Sequence, residues 1–264
     1  MAHPHDDGGA RSPPPEPDRH LRRPGRVAGA GHLRAQRGGH RRPTTRAARS
    51  SERGVRSSLN DLSGAVLAGG ASSRFGSDKA AFPAAGKPLV LWVIERLSVW
   101  CGEVLVVRAP GSSDWPFELP TGVRVVLDAV PHLGPLAGLT RALEEATGAW
   151  VMAAACDAPM LSPGILERLL KLRPGVDAVA AELDGRPQPF PALYRRERAL
   201  GAFRQALAEG ERSVRGALDR LQVRLLPEEE VRRLDPELWT FRSANTPTEA
   251  AELARVLATS GSAR

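Results

Sequence analysis

The chain has 264 residues, 42% hydrophobic and 25% charged, with a formal charge of +7. These are the proportions of an ordinary globular protein, and no run of 18 apolar residues is available to span a membrane. The charge is unevenly placed: residues 1–60 hold 13 arginines against 5 acids, and the remainder sums to −1. Nucleic-acid binding is therefore not expected of the main body.

Residues 1–60 also hold five of the six histidines and no Phe, Trp or Tyr. Rich in Arg, Gly and Pro and without apolar periodicity, this extension cannot bury enough surface to offset its chain entropy, so it reads as disordered and solvated. It lacks the apolar core of a secretory signal, and the acids Asp6, Asp7, Glu16 and Asp18 fit a transit peptide poorly. An arginine-rich arm touching nucleic acid is the alternative. One domain is expected over residues 61–264.

Regular patterning begins with the short apolar strand Ser63–Ala68. Pro88 opens "PLVLWVIERLSVW", apolar at helical spacing with proline in the first turn. Strands are predicted at Glu103–Val107 and Val123–Leu127, a helix at Pro135–Thr147 and a wholly apolar strand at Ala149–Ala155. A helix with a Ser cap follows over Ser162–Leu172. Val176–Leu183 and Pro189–Arg196 read as strands, and the prolines assign the second to an edge or return position. Helices close the chain at Glu197–Ala208, Val214–Arg220 and Thr248–Leu257. Alternating strands and helices predict an α/β fold, a Rossmann-like mostly parallel sheet with helices on both faces.

Ligands of such sheets bind at the carboxyl ends of the strands. After the first strand the chain reads Gly69-Gly70-Ala71-Ser72-Ser73-Arg74-Phe75-Gly76-Ser77-Asp78-Lys79. Glycines allow close backbone approach to a phosphate, and Arg74 and Lys79 supply charge to neutralise it. The spacing is neither a P-loop nor G-x-G-x-x-G. Lysine is notable here, since the chain has three lysines against 34 arginines. Asp128 follows the third strand as a ligand contact or a plain turn former, and His132 reads as a solvated loop residue. Asp157 follows a wholly apolar strand, where an unpartnered carboxylate is costly; a Mg²⁺ ion shared with substrate phosphates would partner it. Cys156 reads as a packed thiol. With Cys101 as the only other cysteine and no ligand spacing, a reducing cytoplasm is expected.

In this order, "LAGGASSRFGSDKA", "LDAVPHLGPLAGL", "CDAPM", "RPQPFPALY" and "NTPTEA" resemble the molybdenum cofactor guanylyltransferase family of MobA-like nucleotidyltransferases. The resemblance covers about Ser63 to Leu257. It implies transfer of GMP from GTP to the terminal phosphate of Mo-molybdopterin, with release of pyrophosphate and a need for Mg²⁺. It further implies that Leu67, Ala68, Gly69 and Gly70 bind nucleotide, that Lys79 contacts phosphate and that Asp128 contacts nucleotide. Asp157 would bind Mg²⁺, and Asn245 would lie on the pterin side. Arg74, Lys79 and Asp157 are the catalytic candidates. Two positions depart from the family pattern: Arg108 and Ser243 stand where asparagine is frequent.

The resemblance also implies dealings with molybdenum-insertion proteins and molybdoenzyme apoproteins as partners. A cytidylyltransferase of the same group is the nearest alternative, although "LAGG" and "GPLAGL" favour GTP. A nucleotide-binding maturation partner without catalysis is the alternative from another class.

Overall fold

The computed structural model describes residues 61–69, 78–128 and 133–261. The expectations placed on residues 1–60, on Gly70 to Ser77 with Arg74 among them, and on His132 lie outside the described residues.

Nine strands and seven α-helices are described. The strands are β1 (Leu62–Leu67), β2 (Pro83–Ala84), β3 (Lys87–Pro88), β4 (Glu103–Arg108), β5 (Val123–Leu127), β6 (Trp150–Ala155), β7 (Ala178–Leu183), β8 (Arg186–Arg195) and β9 (Val223–Leu226). The helices are α1 (Leu89–Ser98), α2 (Pro135–Glu145), α3 (Pro163–Leu172), α4 (Arg196–Ala208), α5 (Val214–Leu218), α6 (Glu228–Leu234) and α7 (Pro247–Gly261). Seven strands form one sheet in the order β5-β4-β1-β6-β8-β7-β9, and β2 pairs with β3 in a small ribbon. Only β8 runs against its neighbours in the large sheet; the other six strands are mutually parallel.

Side-chain alternation explains why helices cover both faces. Val104 and Val106 of β4 face one core, with Val90, Val93, Ile94 and Leu97 of α1 and Ile165 and Leu169 of α3. Leu105 and Val107 face the other, with Leu136, Leu139 and Leu143 of α2 and Phe203 of α4. A strand buried on both faces must be apolar at every position, which is why β6 reads as an unbroken apolar run.

The prolines of β8 did not confine it to an edge: it lies between β6 and β7. Its pairing with β7 jumps from Ala180–Ala192 to Ala181–Gln188, so Pro189 to Pro191 fall in a bulge where no ladder donor is required. The Tyr194 hydroxyl donates to the Pro189 carbonyl at 2.8 Å and holds that bulge. Asp184 and Gly185 form the two-residue turn into β8 with φ of 50° and 67°, the left-handed pair that matches strand twist. Ser162 occupies the cap position of α3, but its side chain makes no capping bond.

The amino edge of the sheet is closed by a polar knot. The Glu103 carboxylate accepts from the Ser63 hydroxyl, the Thr147 N–H and the Thr147 hydroxyl, each at 2.7 Å. Ser63 in turn accepts from the Gly148 N–H at 2.9 Å. A Cβ on Gly148 would stand 2.8 Å from the Ser63 nitrogen and 2.9 Å from the Asp61 oxygen, so only glycine fits there.

Candidate active site

The parallel strands β1, β4, β5 and β6 all end on the opposite edge, and their backbone pairing runs one residue beyond the strands. The Ala68 N–H donates to Val107 at 2.8 Å, the Asp128 N–H to Arg108 at 2.8 Å and the Cys156 N–H to Leu67 at 3.1 Å. These bonds seat Asp128 and Asp157 on the sheet edge itself. A Cβ on Gly69 would lie 3.2 Å from the Ala109 nitrogen, so glycine lets the exit of β1 run close to that of β4.

Lys79, Asp157 and Asn245, drawn from three distant parts of the chain, meet at this edge. The Lys79 ammonium donates to Asp157 Oδ2 and, at 3.0 Å, to Asn245 Oδ1. The Lys79 and Asp157 side chains are 18% and 15% exposed, so the pair is largely withdrawn from water. Asn245 is held from two sides. The preceding Ala244 N–H donates to the Asp157 carbonyl at 2.9 Å. Glu249 accepts from the N–H groups of Asn245 (2.6 Å) and Thr246 (2.9 Å), while its own N–H donates to the Thr246 hydroxyl. That is a capping box at the start of α7.

One feature of this group is incomplete. Asp157 Oδ1 is buried and has no hydrogen-bond partner among the described residues. A buried carboxylate oxygen without a donor is costly unless a ligand completes it. Among the described residues no three His, Cys, Asp or Glu side chains cluster to form a metal cage. The oxygen therefore suits Mg²⁺, which takes one or two carboxylates and fills its remaining positions with water and phosphate oxygens.

Asp128 is not part of that cluster. It follows β5, three strands from β6, a separation of about 14 Å at ordinary strand spacing. Its Oδ2 lies close to Gly138 of α2, beside Val107 and Leu67. Leu67, Ala68 and Gly69 occupy the edge between Asp128 and Asp157. Gly134 opens α2 with φ of 81°, and a Cβ there would meet the Arg212 carbonyl at 2.8 Å. Of the two glycines of "GPLAGL", Gly134 thus has a packing reason, while a Cβ on Gly138 would meet only ordinary contacts.

Asp78, Arg108 and its stacking partner Trp115, and Glu249 were not foreseen as participants. Asp78 caps the 3₁₀ turn Lys79–Ala81 through a 3.0 Å bond from the Ala80 N–H. Its other oxygen accepts from Trp115 Nε1 at 2.6 Å and lies 3.6 Å from the Arg108 guanidinium. Arg108, only 6% exposed, stacks on the Trp115 ring at 4.1 Å and donates to the Ser113 carbonyl at 2.5 Å. For Glu249 the Thr246-x-x-Glu249 spacing of a capping box was the visible signal. Lys87 belongs elsewhere: it pairs with Glu95 and lies over the Trp92 ring. Cys156 is buried beside Asp157, and burial first, then the Asp157 charge, pushes its thiol pKa up, away from nucleophilic use.

A family model described as "MobA-like NTP transferase domain" matches residues 64–224. The chain is 34% identical over 192 residues to a Bacillus licheniformis protein named "Probable molybdenum cofactor guanylyltransferase", covering 71% of this chain and 94% of that one. It is 38% identical over 194 residues to a Deinococcus radiodurans protein of the same name, covering 73% and 93%. Among solved structures, molybdopterin-guanine dinucleotide biosynthesis protein A from Archaeoglobus fulgidus superposes with a TM-score of 0.62 at 28% identity, covering 75% of this chain and 99% of that one.

Proposed function

The chain belongs to the MobA-like NTP transferase family of nucleotidyltransferases, and from that premise we propose that it is a molybdenum cofactor guanylyltransferase. In this reading a phosphate oxygen of Mo-molybdopterin attacks the α-phosphorus of GTP. The bond from that phosphorus to its bridging oxygen breaks, pyrophosphate leaves and the guanine dinucleotide form of the cofactor results. No covalent enzyme intermediate is needed, so catalysis rests on positioning two polyanions and neutralising their charge.

The residues present suit that work. Lys79 exchanges its contacts with Asp157 and Asn245 for phosphate oxygens, acting as a point charge. Asp157 would hold Mg²⁺, and the ion when bound would supply charge neutralisation. Leu67, Ala68, Gly69 and Asp128 line the rest of the edge. Arg74 and Gly70 join them as phosphate contacts on the strength of the motif alone, and Asn245 faces the pterin side. The observation that carries the reading is the buried Asp157 Oδ1, without a hydrogen-bond partner among the described residues, beside the Lys79 ammonium. Cys101 and Cys156, both free thiols, support a cytoplasmic setting.

The test is to incubate Mo-molybdopterin with each NTP and Mg²⁺ and to identify the product by mass. A guanine dinucleotide formed from GTP alone is the expected result; a cytosine dinucleotide would overturn the assignment of the base.

A further inference from the structure

We propose that Arg108 and Trp115 are positioning residues that set the place of Lys79 through Asp78. This rests on the reading of Lys79 as a phosphate contact in nucleotidyl transfer. A lysine carries its point charge on a long flexible stem that cannot orient itself. Once the Lys79 ammonium exchanges Asp157 and Asn245 for phosphate, the backbone from which it springs sets its place. Asp78, the residue before it, is that root, and both its oxygens are engaged. One caps the turn at Ala80, and the other receives the indole N–H of Trp115.

Arg108 explains why Trp115 stays in place. It ends β4, inside the sheet, and its guanidinium lies over the indole at 4.1 Å while one arm holds the Ser113 carbonyl. The Trp115 ring is backed on Phe117 at 5.2 Å. Burying a guanidinium is costly unless it is paired, and its Nε remains without a partner among the described residues. The charge of Asp78 at 3.6 Å offsets part of that cost. A rigid strand end thus carries a stacked ring, the ring carries Asp78, and Asp78 carries Lys79. The departure at position 108 is accordingly a brace for the lysine.

The chain's three lysines allow a direct test. Acylation of Lys79 by a succinimidyl ester is read by peptide mass spectrometry against Lys171 on α3, whose side chain is 62% exposed. Trp115→Phe keeps an aromatic ring against Phe117 and removes the indole N–H together with the five-membered ring. It is expected to raise the Lys79-to-Lys171 labelling ratio about fivefold, the worth of one net hydrogen bond, and to slow transfer by a similar factor. In a Lys79→Ala background the same substitution should change transfer no further. Arg108→Ala should act likewise, and Arg108→Lys should restore it in part. Melting temperatures identify any variant that loses its fold, and Asp78→Asn, which retains the turn cap, then takes its place.

An unchanged labelling ratio in Trp115→Phe and Asp78→Asn would overturn the proposal. So would equal slowing by Trp115→Phe with and without Lys79. A wild-type protein that transfers no GMP would instead overturn the functional reading, leaving the labelling ratio to decide the brace.

Discussion

Glu103 at the amino edge of the sheet and Asp157 at its carboxyl edge are both largely withdrawn from water, yet their surroundings differ in kind. Glu103 receives three hydrogen bonds from Ser63 and Thr147, and Arg124 lies 3.6 Å away. Burial alone would raise its pKa; the bonds from the Thr147 N–H and hydroxyl and the Ser63 hydroxyl outweigh it and hold the carboxyl below its usual range. Asp157 has Lys79 on one oxygen and no partner among the described residues on the other. The first carboxylate is completed by the fold, and the second, in the proposed reading, by a ligand. In a parallel sheet both edges present strand ends, so it is this difference in completion that marks the working edge.

The sharpest way to break the comparison is to neutralise each carboxylate in turn. Asp157→Asn keeps the shape and removes the charge that would hold Mg²⁺. Transfer should fall about 10²-fold, the cost of losing one preorganised electrostatic group, with the melting temperature unchanged. Steady-state rates across a Mg²⁺ titration check this. Normal turnover with an unchanged Mg²⁺ dependence would move the metal role to Asp128, about 14 Å along the edge.

Next in size is the partner of Asp157. Lys79→Ala should slow transfer about 20-fold, matching ~2 kcal/mol for hydrogen bonds to a charged group. Lys79→Arg should recover only part of that, because a planar fork cannot replace a compact ammonium between two oxygens. Full recovery would mean that positive charge alone suffices at this position, and the geometry with Asn245 would lose its significance.

Glu103→Gln should give the reverse pattern: about 1.5 kcal/mol of stability lost and turnover untouched. For a domain of this size that is a fall in melting temperature of roughly 3–6 °C. The sign with pH follows from a folded pKa below the unfolded one. The stabilisation is complete above about pH 4.3, the ordinary glutamate value, and is lost as pH falls through the lowered folded value. Acid titration of the melting temperature should therefore be shallower in the glutamine variant. A variant that melts normally but loses transfer would erase the distinction between the edges.

Much of this contrast was legible in the residues, though unevenly. Val123–Leu127 was plain because it is rich in β-branched residues, although it lies at the sheet's edge and is largely exposed, and the β6 run because a strand buried on both faces must be apolar throughout. Asp157 stood out for the same reason, as a charge ending such a run. The β2–β3 ribbon and β9 passed unread, since two to four residues with lysine or arginine among them carry no usable period. Pro189 and Pro191 pointed to an edge or return position; β8 does return antiparallel to β7, but inside the sheet, because a bulge that spares the prolines depends on Tyr194 and on the neighbouring strand. Glu103 looked like an ordinary strand start, and Asp78, Trp115 and Arg108 like scattered polar and aromatic residues. Their roles arise from contacts across 30 to 44 positions, which local pattern does not encode.

The finest probe of the working edge is Gly138, where a single methyl would tell how far it extends. Gly138 lies in α2, and a Cβ there would sit 3.7 Å from Val107, 3.8 Å from Asp128 Oδ2 and 3.9 Å from Leu67, all ordinary contact distances. Gly138→Ala therefore needs no rearrangement, and the helix should gain up to about 1 kcal/mol from the lost chain entropy of glycine. The same methyl narrows the space between Asp128 and Leu67, both read as nucleotide contacts. If the binding surface reaches from Asp157 to Asp128, the KM for GTP should rise about two- to threefold, under 1 kcal/mol of binding, while the protein melts at a higher temperature. Stability and binding would then move in opposite directions from one atom, as they do where a fold leaves room for a ligand. A higher melting temperature with an unchanged KM would confine the binding surface to the half of the edge held by Lys79, Asp157 and Asn245.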